Sequence, residues 1–203
     1  MVAGMTTFSR AHRGAGHRWA KLAGAVSFAL FFVVANDSNA QGTPAGDSGA
    51  PPAAPADVRS ITAVIHAAYD VISGPAGARD WNRFYSLFAP GARLIRTLRD
   101  STGPAHLQPM TPHEFAALAG DYFSKNPFYE NEIGRESNTF GAVTQAFSAY
   151  QSKHEPGDAK PFARGINSFQ LFNDGKRWYI VTIYWDDEHA GVTIPDRYLH
   201  TAP

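Results

Sequence analysis

The stretch ARGINSFQLFNDGKRWYIVTIYWDDEH, residues 163–189, decides the fold. Two runs rich in β-branched and aromatic residues flank Asn173-Asp174-Gly175-Lys176, a tight-hairpin signal. With Asp174-Gly175 as a two-residue turn, Asn173 pairs with Lys176. One face of the hairpin then carries Leu171/Trp178, Phe169/Ile180, Asn167/Thr182 and Gly165/Tyr184. The other carries Gln170/Tyr179, Ser168/Val181, Ile166/Ile183 and Arg164/Trp185, the last as a cation–π pair across strands. Both faces are largely apolar, and helices can cover only one. A second copy of the chain is the expected cover for the other, as a homodimer through the open sheet face. A slipped register would swap the faces and bring Trp185 and Arg164 inside.

Upstream the pattern is helical. Asp57 is placed to cap a helix carrying Val58, Ile61, Ile65, Ala68 and Ile72 on one side. Asp80 begins a shorter one with Trp81, Phe84, Leu87 and Phe88, stopped by Pro90-Gly91, and residues 92–99 read as a strand. After a loop rich in Gly and Pro, Thr111-Pro112-His113-Glu114 forms a capping box with proline at the first helical position. The third helix buries Phe115, Leu118, Ala119, Tyr122 and Phe123, and ends before Pro127. Strands follow at about 129–139, 141–152, 163–173 and 176–186. Helices followed by a meander of long strands predict an α+β domain, with three N-terminal helices packed on an antiparallel sheet.

The chain's 203 residues, 44% hydrophobic, suit one domain with appendages. Its 18 basic and 18 acidic residues balance, but Arg10, Arg13, Arg18 and Lys21 stand against Asp37 alone in the first forty. The body is therefore mildly acidic, which excludes a nucleic-acid partner held through phosphates. Those bases precede the apolar run Leu22–Ala35, shorter than the roughly 20 residues that span a bilayer. Ser38-Asn39-Ala40 then offers small residues where a signal peptidase reads. Residues 1–40 are expected to be a signal peptide, 41–56 a disordered linker and 57–200 the single domain. The protein would be exported, periplasmic or secreted, with no stable membrane anchor. With no cysteine, disulfides are impossible.

The segment Asp80-Trp81-Asn82-Arg83-Phe84-Tyr85-Ser86-Leu87-Phe88-Ala89-Pro90-Gly91-Ala92 and the closing strand from Asp174 to Asp186 resemble the nuclear-transport-factor-2-like superfamily. That group includes SnoaL-like cyclases, ketosteroid isomerase and scytalone dehydratase, and the resemblance covers most of residues 57–190. It implies a cone: a strongly bent antiparallel sheet wrapped around helices and enclosing a pocket. It also implies that Tyr69 lies near the oxyanion tyrosine of the isomerases. The isomerase base would fall at Arg96, and an arginine cannot take a proton from carbon.

The residues expected to bind a ligand are Tyr69, Arg96, Asn167, Thr182 and Tyr184, the last three as polar groups at one end of an otherwise apolar sheet face. Asp186, on the face of Tyr184, is the carboxylate with a claim on chemistry, whereas Asp187, Glu188 and His189 read as the strand's solvated end. Glu130 and Glu132 share a strand face, either as an acid/base pair or as ion-pair partners for Arg93, Arg96 and Arg99. A calcium-loop template from Asp186 fails at Ala190 and Arg197, and zinc would need more His or Cys, so no metal or cofactor is expected. The leading expectation is a small-molecule-binding protein for a hydrophobic ligand, without assigned catalysis. The alternative is an isomerase- or dehydratase-type enzyme using Tyr69 with Asp186 or Glu132 in the same pocket. A third possibility, an assembly subunit, predicts no enclosed cavity.

Overall fold

The computed structural model describes residues 52–99 and 104–200, so the expectations for the leader and for the linker up to residue 51 lie outside the described residues. A single turn α1 (Pro55–Val58) precedes α2 (Ile61–Ile72) and α3 (Trp81–Ser86). Strands β1 (Phe88–Arg99) and β2 (Ala105–Met110) follow, then α4 (Pro112–Lys125). The chain continues through β3 (Tyr129–Phe140), β4 (Val143–Lys153), β5 (Ala163–Asn173) and β6 (Trp178–Asp187), and a 3-10 turn spans Asp196–Tyr198.

The first long helix starts later than its apolar spacing predicts. Ser60, in extended backbone, accepts from the Ala63 N–H at 3.1 Å and is the N-cap of α2. Asp57 binds Arg83 instead, at 2.8 and 3.0 Å, and ties α1 to α3. Asp80 caps α3 as its sequence suggests, accepting from Arg83 N at 2.9 Å. Thr111 and Glu114 close both halves of the capping box on α4. Pro90-Gly91 does not end α3, because the chain is already extended at Phe88, and the β1–β6 register shifts between Phe88 and Arg93. The Gly- and Pro-rich loop contains β2, an edge strand where the missing N–H of Pro109 is tolerated.

The sheet order is β2-β1-β6-β5-β4-β3. Neighbours are antiparallel except β1 and β6, which run parallel. The architecture is α+β and cone-like: the bent sheet curls around the helices without closing. Phe84, Leu87, Val64, Ile65, Phe169, Leu171 and Ile180 are almost fully buried between the layers. Each such side chain contributes about 1.5–3 kcal/mol on burial.

Two irregularities set which side chains face the helices. In β3, Glu132 pairs with Tyr150 but Gly134 pairs with Ala149, so Ile133 is an extra residue. In β6, Ile180 pairs with Leu171 but Thr182 pairs with Gln170, so Val181 is extra. The hairpin itself also differs from a two-residue turn. Asn173 pairs with Trp178, leaving a four-residue loop in which Asp174 Oδ1 accepts from the N–H groups of Lys176 and Arg177, both at 2.8 Å. Asn173 Oδ1 accepts from Gly175 N at 2.7 Å, and Gly175 takes φ +89°. Beyond Val181, Ile183, Trp185 and Asp187 therefore share the inner face with Phe169, Asn167 and Gly165. Arg164 does not stack on Trp185. It lies 3.4 Å from Glu188, while Trp185 packs edge-on to Phe115.

The outer face is partly covered by the chain's own C-terminal segment. The Tyr198 ring lies 5.3 Å from that of Phe147, and the Arg135 N–H donates to the His200 carbonyl at 3.1 Å. Gly134 permits this approach, since a Cβ there would stand 2.3 Å from the Tyr198 carbonyl oxygen. Gly134→Ala is expected to lower unfolding stability by about 1–3 kcal/mol through displacement of that segment. Urea titration checks this, and an unchanged midpoint would refute the contact.

Candidate functional site

Between α2, α3, α4 and the inner sheet face lies a cavity of about 460 Å³. Its walls are mostly apolar: Phe84, Leu94, Met110, Phe115, Phe123, Phe128, Phe162, Phe169, Ile183 and Trp185 all contribute. The rings brace one another, with Phe84 and Phe115 stacked at 5.5 Å and Phe123 and Phe128 4.9 Å apart. Polar lining comes from Tyr69, Arg96, Glu130, Tyr150, Ser152, Asn167 and Asp187.

Most of these polar groups form one connected cluster. The Tyr69 hydroxyl, on α2, lies 2.7 Å from Ser148 Oγ on β4, and Ser148 donates to Glu132 Oε1 at 2.6 Å. Asn167 Nδ2 donates to Tyr69 at 3.1 Å and reaches Glu130 Oε1 at 3.5 Å. Ser152 donates to Glu130 Oε2 at 2.7 Å, and Tyr150 donates to Asp187 Oδ1. The local frame is tight. Ser73, just past α2, accepts from the Glu130 N–H at 2.9 Å and donates to the Tyr69 carbonyl at 2.7 Å, fixing helix to strand. Gly165 leaves room for Tyr150 to reach Asp187, because a Cβ there would meet the Tyr150 hydroxyl at 2.6 Å.

Burial dominates the electrostatics. It pushes the Glu130 carboxyl up to about 7, helped by the nearby Asp187 charge and opposed by the hydrogen bonds from Ser152 and Asn167. Burial also raises Tyr69 and Tyr150 above the usual phenol range, with the charges of Glu130 and Asp187 respectively adding to it. Glu132, behind Ser148, lies 3.5 Å from Arg135 Nε and 3.5 Å from His66 Nε2.

Of the residues expected to bind a ligand, Tyr69, Asn167 and Arg96 line the cavity, Arg96 with its side chain exposed at the rim. Thr182 and Tyr184 do not. The extra residue at Val181 turns both to the outer face, where Tyr184 is 42% exposed. Asp186 lies on that face too. The Arg99 guanidinium grips it with both nitrogens, one at 2.6 Å, and holds its carboxyl below the usual range. The structure thus removes Asp186 from the cavity and puts Asp187, read as a solvated strand end, in its place. Sequence reasoning also passed over Tyr150 and Ser152. The strand-face pairing of Glu130 with Glu132 was the available signal, because Ser152 and Tyr150 are their partners on β4.

No protein-family model matches the chain, and no curated protein matches it. Solved structures it is similar to include nuclear-transport-factor-2-like proteins. One, of unknown function, from Silicibacter pomeroyi, is 12% identical with a TM-score of 0.45, over 64% of this chain and 94% of that one. Another, of unknown function, from Pseudomonas putida, is 10% identical with a TM-score of 0.47, over 62% and 82%. LinA is 10% identical with a TM-score of 0.46, over 71% and 92%.

The position of Glu130 has a consequence for stability. A free glutamic acid titrates at 4.5, and this one at about 7 when folded. The folded chain therefore holds its proton more tightly, and this group's contribution declines as pH rises from 4.5 to 7, by about 3 kcal/mol in all. Glu130→Gln removes that loss. Denaturation at several pH values is expected to show no gain for the variant at pH 4.5 and a gain of that order at pH 8. A difference that does not vary with pH would contradict it.

Proposed function

We propose that this protein binds a small, largely apolar molecule in the cavity between helices and sheet. The observation that carries the reading is a 460 Å³ space walled by aromatic rings, with Tyr69, Asn167, Glu130 and Ser152 joined by hydrogen bonds on one side and the Tyr150–Asp187 pair in the same lining. Small-molecule sites have this form: apolar walls supply affinity and a few fixed polar groups orient the guest. Ala119, on α4, lines the cavity, so Ala119→Trp places an indole in it. Mass spectrometry of denatured protein from its native compartment is expected to release a bound small molecule. The variant should release at least about tenfold less. Equal loading of the two would count against the cavity as the site.

A second reading, isomerase- or dehydratase-type chemistry in the same cavity, draws on Glu130. A carboxyl that titrates near 7 beside an apolar space can take and return a proton at working pH. In this reading Glu130 replaces Asp186 as the carboxyl that acts with Tyr69. The signal-like leader supports export. The exposed Phe140, Val143, Phe172, Val181 and Tyr184 support pairing of two copies through the outer face. Light scattering at micromolar concentration is expected to give twice the chain mass, and a monodisperse monomer would refute the pairing.

A further inference from the structure

The hydrogens at the polar end of the cavity can be assigned one by one. Ser148 has a single hydroxyl hydrogen, and it goes to Glu132. In the contact between Ser148 and Tyr69, Tyr69 is then the donor. The Tyr69 oxygen in turn accepts from Asn167 Nδ2. The same amide nitrogen faces Glu130, which fixes the orientation of the amide, since both neighbours are acceptors. Ser152 spends its hydrogen on Glu130 and Tyr150 spends its own on Asp187. Every hydroxyl of the cluster thus donates into the wall. Two carboxyl groups, Glu130 and Asp187, face the space with neutral donors as their partners. Among the described residues Arg96 is the one basic side chain in the lining, and it is exposed to water at the rim.

We propose that the molecule held in this cavity is a small hydrophobic amine, with its ammonium group seated between Glu130 and Asp187. This rests on the reading of the cavity as a binding site and specifies its guest. An ammonium brings three donors and no acceptor, the complement of a polar end whose own hydroxyl and amide donors are committed. Its desolvation is offset by two carboxyl groups, and the rings of Phe128, Phe162 and Tyr150 line the same cavity, available to its charge. A carboxylate guest would meet two groups of its own sign at the buried end. An alcohol would donate once and gain no charge pairing.

The pH dependence follows from the same groups. Glu130 is faced by Tyr69 from α2, Tyr150 and Ser152 from β4, Asn167 from β5 and Asp187 from β6, with Arg96 of β1 in the same lining. A cation favours the ionised carboxyl, so affinity for an amine rises with pH through about 7.

Calorimetry with three probes on one skeleton tests the proposal on the purified protein: 4-phenylbutylamine, 4-phenylbutan-1-ol and 4-phenylbutyrate. At pH 8 the amine is expected to bind about tenfold or more tighter than the alcohol, with the carboxylate weakest. Moving to pH 6 should weaken the amine and leave the alcohol unchanged. Glu130→Gln should erase the amine's advantage over the alcohol. Asp187→Asn provides the same comparison from the other carboxyl, with circular dichroism confirming that each variant is folded. Alcohol or carboxylate binding as tightly as the amine overturns the amine assignment and leaves the cavity reading standing. Failure of all three probes overturns the cavity reading, and the assignment with it.

Discussion

Side chains along a strand alternate between faces, so one extra residue reverses everything beyond it. Val181 is that residue in β6, and the polar end of the cavity depends on it. Without it, Thr182, Tyr184 and Asp186 would face the helices, while Ile183 and Trp185 would face water. With it, Ile183 and Trp185 complete the apolar wall and Asp187 meets Tyr150 in the lining that also holds Glu130. The neighbouring β1 adjusts at the same level, where its register against β6 shifts between Phe88 and Arg93. The irregularity is thus shared by both ladders of the strand. In β3, the extra residue Ile133 does corresponding work. It keeps Glu130 and Glu132 on the inner face, then turns Arg135 inward and Gly134 toward the C-terminal segment.

The cluster that results is costly to bury, and its connections explain how it persists. A carboxyl in an apolar space prefers its proton, which is what the raised Glu130 reflects. Hydrogen bonds from Ser152 and Asn167 oppose that preference without cancelling it. Behind the cavity wall, Glu132 has a different setting: Ser148 bonds it, and Arg135 and His66 lie 3.5 Å away. The two glutamates stand two residues apart on one strand face, yet one borders an apolar space and the other an ionic cluster. Separating two carboxyl environments in this way is how a protein keeps one of them able to exchange a proton.

The parts of this structure legible in the sequence were those with local causes. The Asp80 cap, the Thr111–Glu114 capping box and the order of the long strands follow from short-range hydrogen bonding and apolar spacing. Tyr69 and Arg96, which line the cavity, were reached through the family resemblance, and Asn167 through the hairpin face. Thr182, Tyr184 and Asp186 were misplaced because an extra residue in a strand has no sequence signature as strong as a cap. Val181 in a run of β-formers looks like its neighbours. The hairpin loop was misjudged for a related reason: Asp174-Gly175 favours a two-residue turn, but Asp174 bonds two backbone N–H groups farther on and widens the loop to four. The C-terminal cover was invisible because Gly134 is informative only once Tyr198 is seen beside it.

The strand irregularity at Val181 puts Asp187 in the same cavity lining as a half-buried Glu130, whose proton is held to near neutrality. Carboxyl carbon titration of glutamate by nuclear magnetic resonance, with Glu130 assigned by its Gln substitution, tests this directly. A midpoint of about 7 is expected for Glu130, moving lower in Asp187→Asn as that negative charge is removed. A midpoint at the ordinary 4.5, indifferent to Asp187→Asn, would contradict it.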